Sequence, residues 1–381
     1  MRGTIGMKEK DRSGIAVISF HIGKAFSVPL SHLVSILSAM GLSYLFIGVY
    51  EKLHLPNTTF LKNIFFFNYR TSSIFIVRLI VYLLLQIKIS FRLLLVNHKF
   101  GRVIFFMSLP PLIPLLIVKM LRIKSYWLIS ANPLKLSLSD DSKTSKPMGL
   151  PLRLCFRLVD YIILYSPILV SDWQLESYRH KILIAHEHFL DFDIFTDTIP
   201  MPDRPRLIGY IGRLSKEKGI ENFVRALPAI LSNQQDHHVL IGGDGELNEK
   251  IKAFLQEEGI LGRVDLPGWT SHDDLPGHLN QLRLLVLPSY TEGLPNIVLE
   301  AMACGTPVLA TPVGAIPDII VDGRTGFIME NNSPECIAKN VIRALNSPKL
   351  EQIAENGRQF AGEIFTFEST SARWKEVLKE I

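Results

Sequence analysis

The sequence has only three cysteines, Cys155, Cys304 and Cys336, which lie far apart in no metal-ligand spacing. This argues against a disulfide framework or a thiolate zinc site and fits a reducing cytosol. Acidic residues are missing from one long stretch: from Lys52 to Ser139 there are twelve basic side chains and no Asp or Glu. Uninterrupted apolar spans are missing too. Residues 25–50 carry Pro29, His32 and five serines, 103–118 carry Pro110, Pro111 and Pro114, and 74–96 carry Arg78, Lys88 and Arg92. None reads as an unbroken membrane span of about 20 residues. The opening residues do not read as a signal peptide, because the apolar stretch starts only near Ile15 and soon ends. There is no short-period repeat or low-complexity tract.

The 381 residues are enough for two domains, and 48% hydrophobic with 20% charged residues fits large cores. The net charge of +5 hides an asymmetry. Residues 1–180 hold 22 basic and 8 acidic side chains, a balance of +14; residues 181–381 hold 19 and 28, a balance of −9. A basic half beside an acidic half suggests that one domain faces a polyanion or an anionic membrane. The membrane is favoured because the basic stretch is also apolar. At about 100° per residue, Arg78, Lys88 and Arg92 fall within roughly 80° of one another. That is the pattern of a helix lying in a membrane interface. The plainer alternative is a helix packed on a sheet with its basic stripe in water.

Strand-like and helix-like stretches alternate along the chain. Strands are expected at 15–20, 42–49, 102–107, 125–129 and 160–166, and helices at about 29–40, 74–96 and 112–122. Residues 136–150 are polar and read as a mobile loop. Pro200, Pro202 and Pro205 mark a boundary near 197–205. Beyond it, strands are expected at 206–211, 238–241, 264–266, 284–287, 307–310 and 326–329, with helices at 221–231 and 334–346. The fold class is therefore α/β: two doubly wound Rossmann-like domains, 1–200 and 201–365, facing a central cleft.

Two carboxylates carry the chemistry. Glu292 and Glu300 stand seven residues apart in Glu292-Gly293-Leu294-Pro295-Asn296-Ile297-Val298-Leu299-Glu300. A strand-like Leu-Leu-Val-Leu-Pro precedes them and Ala-Met-Ala-Cys-Gly-Thr-Pro follows. The Gly-x-Pro-Asn turn should start a helix near Asn296, with Glu292 on the loop and Glu300 about one turn inside. A helix N-terminus beside Glu292 would offer N–H groups to an anion. Upstream, Arg213 and Lys218 follow the first strand of the second domain.

This set of motifs resembles the signature of family-4 retaining glycosyltransferases of the GT-B fold, which use nucleotide-sugar donors. The resemblance covers most of 206–330 with specific motifs and rests on topology alone over 14–200. It implies that Arg213 and Lys218 clamp the donor diphosphate, so that fixed cations rather than a metal neutralise the leaving group. Glu292 would contact the donor sugar and stabilise oxocarbenium charge, and Glu300 would hold the ribose hydroxyls. The backbone across Gly293, Leu294, Pro295 and Asn296 would complete the cradle. Gly245 and Glu246 match a glycine-rich loop after the second strand, and Gly23 matches a glycine where backbone approaches phosphate. A C-terminal helix in 366–381 would cross back to the first domain.

Two departures stand out. Ser130-Ala131-Asn132-Pro133 occupies the place where many relatives carry a histidine. The linker keeps Asp191 and Phe195 but lacks the usual Asn-Gly. Asp191-Phe192-Asp193 and His186-Glu187-His188 look like metal motifs, but a divalent ion needs convergent ligands and not one short run. No metal site is expected, and no cofactor beyond the nucleoside-diphosphate sugar as co-substrate. The expected function is metal-independent, retaining transfer of a hexosyl unit to a glycan or lipid-linked glycan. The expected place is the cytoplasm, bound peripherally to the inner face of the membrane, with no nucleic-acid partner. The alternatives are a nucleotide-sugar epimerase of the same fold and a non-catalytic sugar-nucleotide-binding scaffold.

Overall fold

The computed structural model describes residues 14–22, 27–49, 63–68, 74–107, 109–130 and 145–379. Its residues up to His188, with those from Thr370 onward, form one unit, and Phe189–Ser369 form a second.

The first unit holds a seven-stranded parallel sheet in the order β3-β2-β1-β4-β5-β6-β7. The strands are β1 (Gly14–Ile22), β2 (Leu42–Val49), β3 (Ile64–Asn68), β4 (Phe100–Phe106), β5 (Lys124–Leu128), β6 (Tyr161–Leu164) and β7 (Ile182–Ile184). A parallel sheet covered on both faces needs unbroken apolar runs in its strands. In β1, Ile15, Ala16, Val17 and Ile18 are all buried. Strands β3 and β7 lie outside the sequence expectation. They are short edge strands, and a few residues give no readable period.

Four helices of this unit matter here: α1 (Ser27–Ser38), α2 (Phe75–Val96), α3 (Leu112–Met120) and α4 (Ser145–Leu158). The polar segment 136–150 lies outside the described residues up to 144. From Ser145 it is the start of α4 rather than a mobile loop. Leu152, Cys155 and Phe156 are buried, and their spacing is that of one helix face.

Helix α2 links the edge strand β3 to the central strand β4. By length and composition, 76–99 could cross a membrane. One face of it packs inward instead, through Tyr82, Leu85, Gln86, Ile89, Ser90 and Leu93. The Tyr82 hydroxyl donates to Pro110 O at 2.9 Å, and Ile113 N donates to Gln86 Oε1 at 3.0 Å. On the other face Ile76, Ile80, Leu84, Ile87 and Phe91 are each more than half exposed. The expected stripe of three cations is reduced to two. Arg78 and Lys88 are exposed, but the Arg92 guanidinium lies 4.2 Å over the Phe65 ring of β3.

The second unit holds a six-stranded parallel sheet in the order β10-β9-β8-β11-β12-β13. Its strands are β8 (Leu207–Ile211), β9 (His238–Gly242), β10 (Val264–Gly268), β11 (Leu284–Leu287), β12 (Val308–Ala310) and β13 (Phe327–Ile328). The longer helices are α5 (Ile220–Asn233), α6 (Asn248–Glu257), α7 (Leu275–Gln281), α8 (Asn296–Ala303), α9 (Pro334–Leu345) and α10 (Leu350–Ile364), and α11 (Phe367–Lys379) begins here and runs mostly in the first unit. Phe223, Leu227 and Ile230 of α5 share a core with Ile337 and Val341 of α9.

The chain joins the second unit at Phe189, ahead of the proline cluster. Leu190 N donates to Phe365 O at 2.9 Å and Thr198 N to Asn280 Oδ1 at 2.7 Å. The buried Arg204 guanidinium donates to Ile199 O, Leu282 O, Thr306 Oγ1 and Cys304 O and pairs with Asp197 at 2.9 Å. All of its N–H groups are used, as burial of a charge requires. Helix α11 returns to the first unit. Thr370 Oγ1 donates to His188 O at 3.0 Å, Arg373 Nε to Ile184 O at 2.8 Å and Trp374 Nε1 to His186 O at 2.8 Å.

Glu187, in that clamped segment, is fully buried and accepts a 2.6 Å hydrogen bond from the Tyr165 hydroxyl. Burial pushes its carboxyl from about 4.5 up to about 8. The folded chain therefore keeps this proton up to about pH 8, while the unfolded chain releases it near 4.5. Stability from this group falls as pH rises through that window. Glu187→Gln cannot ionise and keeps an acceptor for Tyr165. Between about pH 5 and about pH 8.5 it should gain roughly 2–4 kcal/mol on the wild type in denaturant unfolding. Burial pushes His186 down to about 4, but His186 is common to both proteins and cancels in the comparison. Parallel pH profiles would show that Glu187 is not held neutral.

Candidate active site

Strands β8 and β11 are neighbours at the point where the strand order of the second sheet reverses. In an open α/β sheet the loops leaving such a pair diverge and form a crevice for ligands. Five loops at the carboxyl ends of the strands build the site.

The loops after β8 and β9 are zipped together by backbone. Gly212 N donates to Gly242 O at 2.9 Å, Leu214 N to Asp244 O at 3.0 Å and Leu247 N to Leu214 O at 3.1 Å. A Cβ on Gly245 would stand 2.4 Å from Leu214 O, so this close approach requires glycine. Glu246, in the same turn, is exposed.

The loop after β8 continues through Lys216–Lys218 to Gly219, which has φ +68. A Cβ there would meet Pro288 O at 1.9 Å, so only glycine lets this loop lie against the end of β11. Lys218 is thereby brought to Glu292. Its Nζ lies 2.7 and 2.8 Å from the two carboxylate oxygens. Ser289 Oγ donates to Glu292 Oε1 at 2.7 Å, and Thr311 Oγ1 donates to Ser289 O at 2.6 Å. The Glu292 side chain is 7% exposed and that of Lys218 26%.

Gly293 O accepts from Ala315 N at 2.8 Å, and Leu294 and Pro295 are buried. Helix α8 starts at Asn296, and no side chain caps its first turn. Glu300 lies one turn inside and is buried. His272, from the loop after β10, stands with Nε2 3.6 Å from Glu300 Oε1, its ring edge-on to Phe195. The contact with Glu300 raises the His272 pKa above the usual imidazole value, and partial burial opposes the rise.

The sequence-predicted residues are thus divided. Lys218, Glu292 and the 293–296 turn come together. Glu300 lies farther along the same helix and meets His272. Arg213 does not reach Glu292: it is exposed and pairs with Glu217 at 3.2 Å, while the Tyr210 hydroxyl holds its carbonyl at 2.8 Å. Gly23 lies outside the described residues. Ser289, Thr311 and His272 were missed by sequence reasoning. For Ser289 the signal was a hydroxyl just past a predicted strand; His272 offered none, since its partner is distant in sequence. A concavity of about 360 Å³ beside this loop is lined by Lys216, Glu217, Gly219, Glu221, Asn222 and Tyr290, and by neither glutamate of the pair.

The metal-like motifs do other work. Asp191 Oδ1 accepts from Asp193 N at 3.0 Å within a turn, and Glu187 is spent on Tyr165. Among the described residues no group of three or more His, Cys, Asp or Glu side chains gathers as a metal cluster would.

Residues 191–360 match the family of glycosyl transferases group 1. The chain is 29% identical over 217 residues to an alpha-D-kanosaminyltransferase of Streptomyces kanamyceticus, covering 55% of this chain and 56% of that protein. It is 31% identical over 177 residues to the capsular polysaccharide biosynthesis glycosyltransferase CapM of Staphylococcus aureus, covering 45% and 44%. The chain thus spans about half the length of these curated relatives. Its fold resembles sucrose-phosphate synthase from Thermosynechococcus elongatus (TM-score 0.75, 18% identity, 97% of this chain and 99% of that one). It equally resembles Anabaena HepE in complex with UDP (TM-score 0.75, 16% identity, 97% and 100%). The chain therefore has the GT-B fold, and its residues 191–360 match the model of the glycosyl transferases group 1 family.

Proposed function

We propose that this protein transfers a hexosyl unit from a nucleoside-diphosphate sugar to a glycan or lipid-linked glycan, with retention at the anomeric carbon and without a metal. The observation that carries this reading is the Lys218–Glu292 pair at the β8–β11 switch point, beside the start of α8. A cation held there can take up the charge of a departing diphosphate, and the helix N-terminus adds its own positive end. Glu292 would hold Lys218 in place before the donor arrives and face the sugar afterwards. Glu300 would accept from the ribose hydroxyls, with Arg213 swinging from Glu217 to the outer phosphate. Gly245 and Glu246 would flank the diphosphate. With no carboxylate assigned as nucleophile, the acceptor would attack from the face the diphosphate leaves, its proton passing to the diphosphate. Structures similar in fold hold UDP and UDP-glucose, which favours a nucleotide-sugar donor here.

The place of action follows from α2. Its exposed apolar face lies opposite its buried face and is flanked by Lys88, and Leu116 and Met120 of α3 are exposed as well. A helix apolar on both faces has a second apolar environment to satisfy. Next to a chain segment with twelve cations and no acid, an anionic lipid surface fits best. The enzyme would then sit peripherally on the cytoplasmic face of the membrane.

Lys218→Ala should cut turnover by ~10²–10³ and Arg213→Ala by less, given its exposed starting position. Glu300→Ala should raise the donor KM more than it lowers kcat. Wild-type steady-state kinetics in both cation variants would remove the clamp. Saturating chelator should leave turnover intact; loss restored by magnesium or manganese would reject the metal-free mechanism. In vesicle flotation, wild type should bind anionic vesicles and release with salt, since screening acts over about 8 Å. Combined Ile80→Ser, Leu84→Ser, Ile87→Ser and Phe91→Ser should weaken that binding about tenfold or more while sparing donor hydrolysis. Equal flotation of the wild type on neutral and anionic vesicles would reject the anionic surface.

A further inference from the structure

Glu300 is a nearly buried carboxylate, and among the described residues His272 is the one cationic side chain within ion-pair distance of it. A carboxylate withdrawn from water is costly to keep charged without a partner. His272 comes from a different strand loop, the one after β10, and its side chain is half exposed, so solvent protons reach it. The charged groups acting on the imidazole are Glu300 from α8 and Asp273 from its own loop. Phe195 closes a third side with its ring edge-on at 5.2 Å.

We infer that His272 is a positioning residue for donor binding: its imidazolium holds one oxygen of Glu300 and leaves the other for the ribose hydroxyls of a nucleoside diphosphate. This rests on the donor-site reading of Glu300 given above. Protonated His272 keeps the carboxylate oriented and ready to accept. Neutral His272 releases that hold and withdraws a positive charge from a site that receives an anion. Glu300 already shifts His272 toward the protonated form, so the change falls above the ordinary imidazole value. Donor affinity should therefore weaken as pH rises through the imidazole titration. A nucleotide sugar does not itself titrate in that range.

The test is isothermal titration of UDP-glucose, UDP-N-acetylglucosamine and GDP-mannose into the full chain between about pH 6 and about pH 8.5. For whichever donor binds, wild-type affinity should fall about three- to fivefold across the range, the scale of a half-exposed ion pair. His272→Gln should be weak and flat. His272→Arg should be tight and flat, because its charge no longer titrates. In kinetics the change should appear in the donor KM and much less in kcat. Wild type and His272→Gln with the same pH profile would overturn the role of His272 while leaving the donor site standing. Failure of every nucleotide sugar to bind the wild type at either pH would overturn the donor site and this inference together.

Discussion

The site depends on one ion pair, Lys218 with Glu292. The two residues belong to loops leaving adjacent parallel strands, and nothing in the sheet alone would bring their side chains together. The approach is made possible by Gly219, whose missing Cβ lets the first loop lie against Pro288. Glu292 is almost removed from water, and removing one charge from water costs several kcal/mol unless partners return it. A two-oxygen contact from Lys218 and a hydrogen bond from Ser289 supply those partners. In the proposed function this geometry would matter directly: an arriving diphosphate would share a cation already committed to a carboxylate, and Lys218 would need little reorganisation when the leaving group departs.

The two units solve different physical problems. The second is acidic overall and concentrates its chemistry in loops at strand ends, with charges paired across loops. Its entry segment is fastened by Arg204, every N–H of which finds an acceptor, so residues 189–205 belong to the unit they precede. The first unit is basic and strongly apolar. It hides an ionisable residue, Glu187, in its core and leaves apolar side chains on its surface. Both features run against the usual sorting of residues and mark places where something other than packing has shaped the chain.

Helix α2 shows how a single amphipathic pattern can mislead. Three cations on one side of an apolar helix read as a stripe facing phosphate. In the folded unit Arg92 stacks on Phe65 of the edge strand, while the face directed away from the sheet is apolar. The helix therefore keeps its apolar character on both sides, and its cations flank the exposed face instead of forming it.

Much was legible in the sequence because it was local. Buried parallel strands announced themselves as unbroken runs such as Leu284–Leu287. The Gly-x-Pro-Asn turn placed the start of α8 at Asn296, since a turn and a helix start are decided by a few adjacent residues. The Glu292 and Glu300 spacing followed from that start. Short edge strands did not carry enough residues for a pattern, and α4 was hidden behind a polar segment with its apolar face beginning only at Leu152. What only the tertiary structure decided was which side chains meet across loops: Lys218 with Glu292, Arg213 with Glu217 instead, and Glu300 with His272. Those partners are set by strand order and by the close approach of backbones at glycine, and neither is written in the spacing of any one segment.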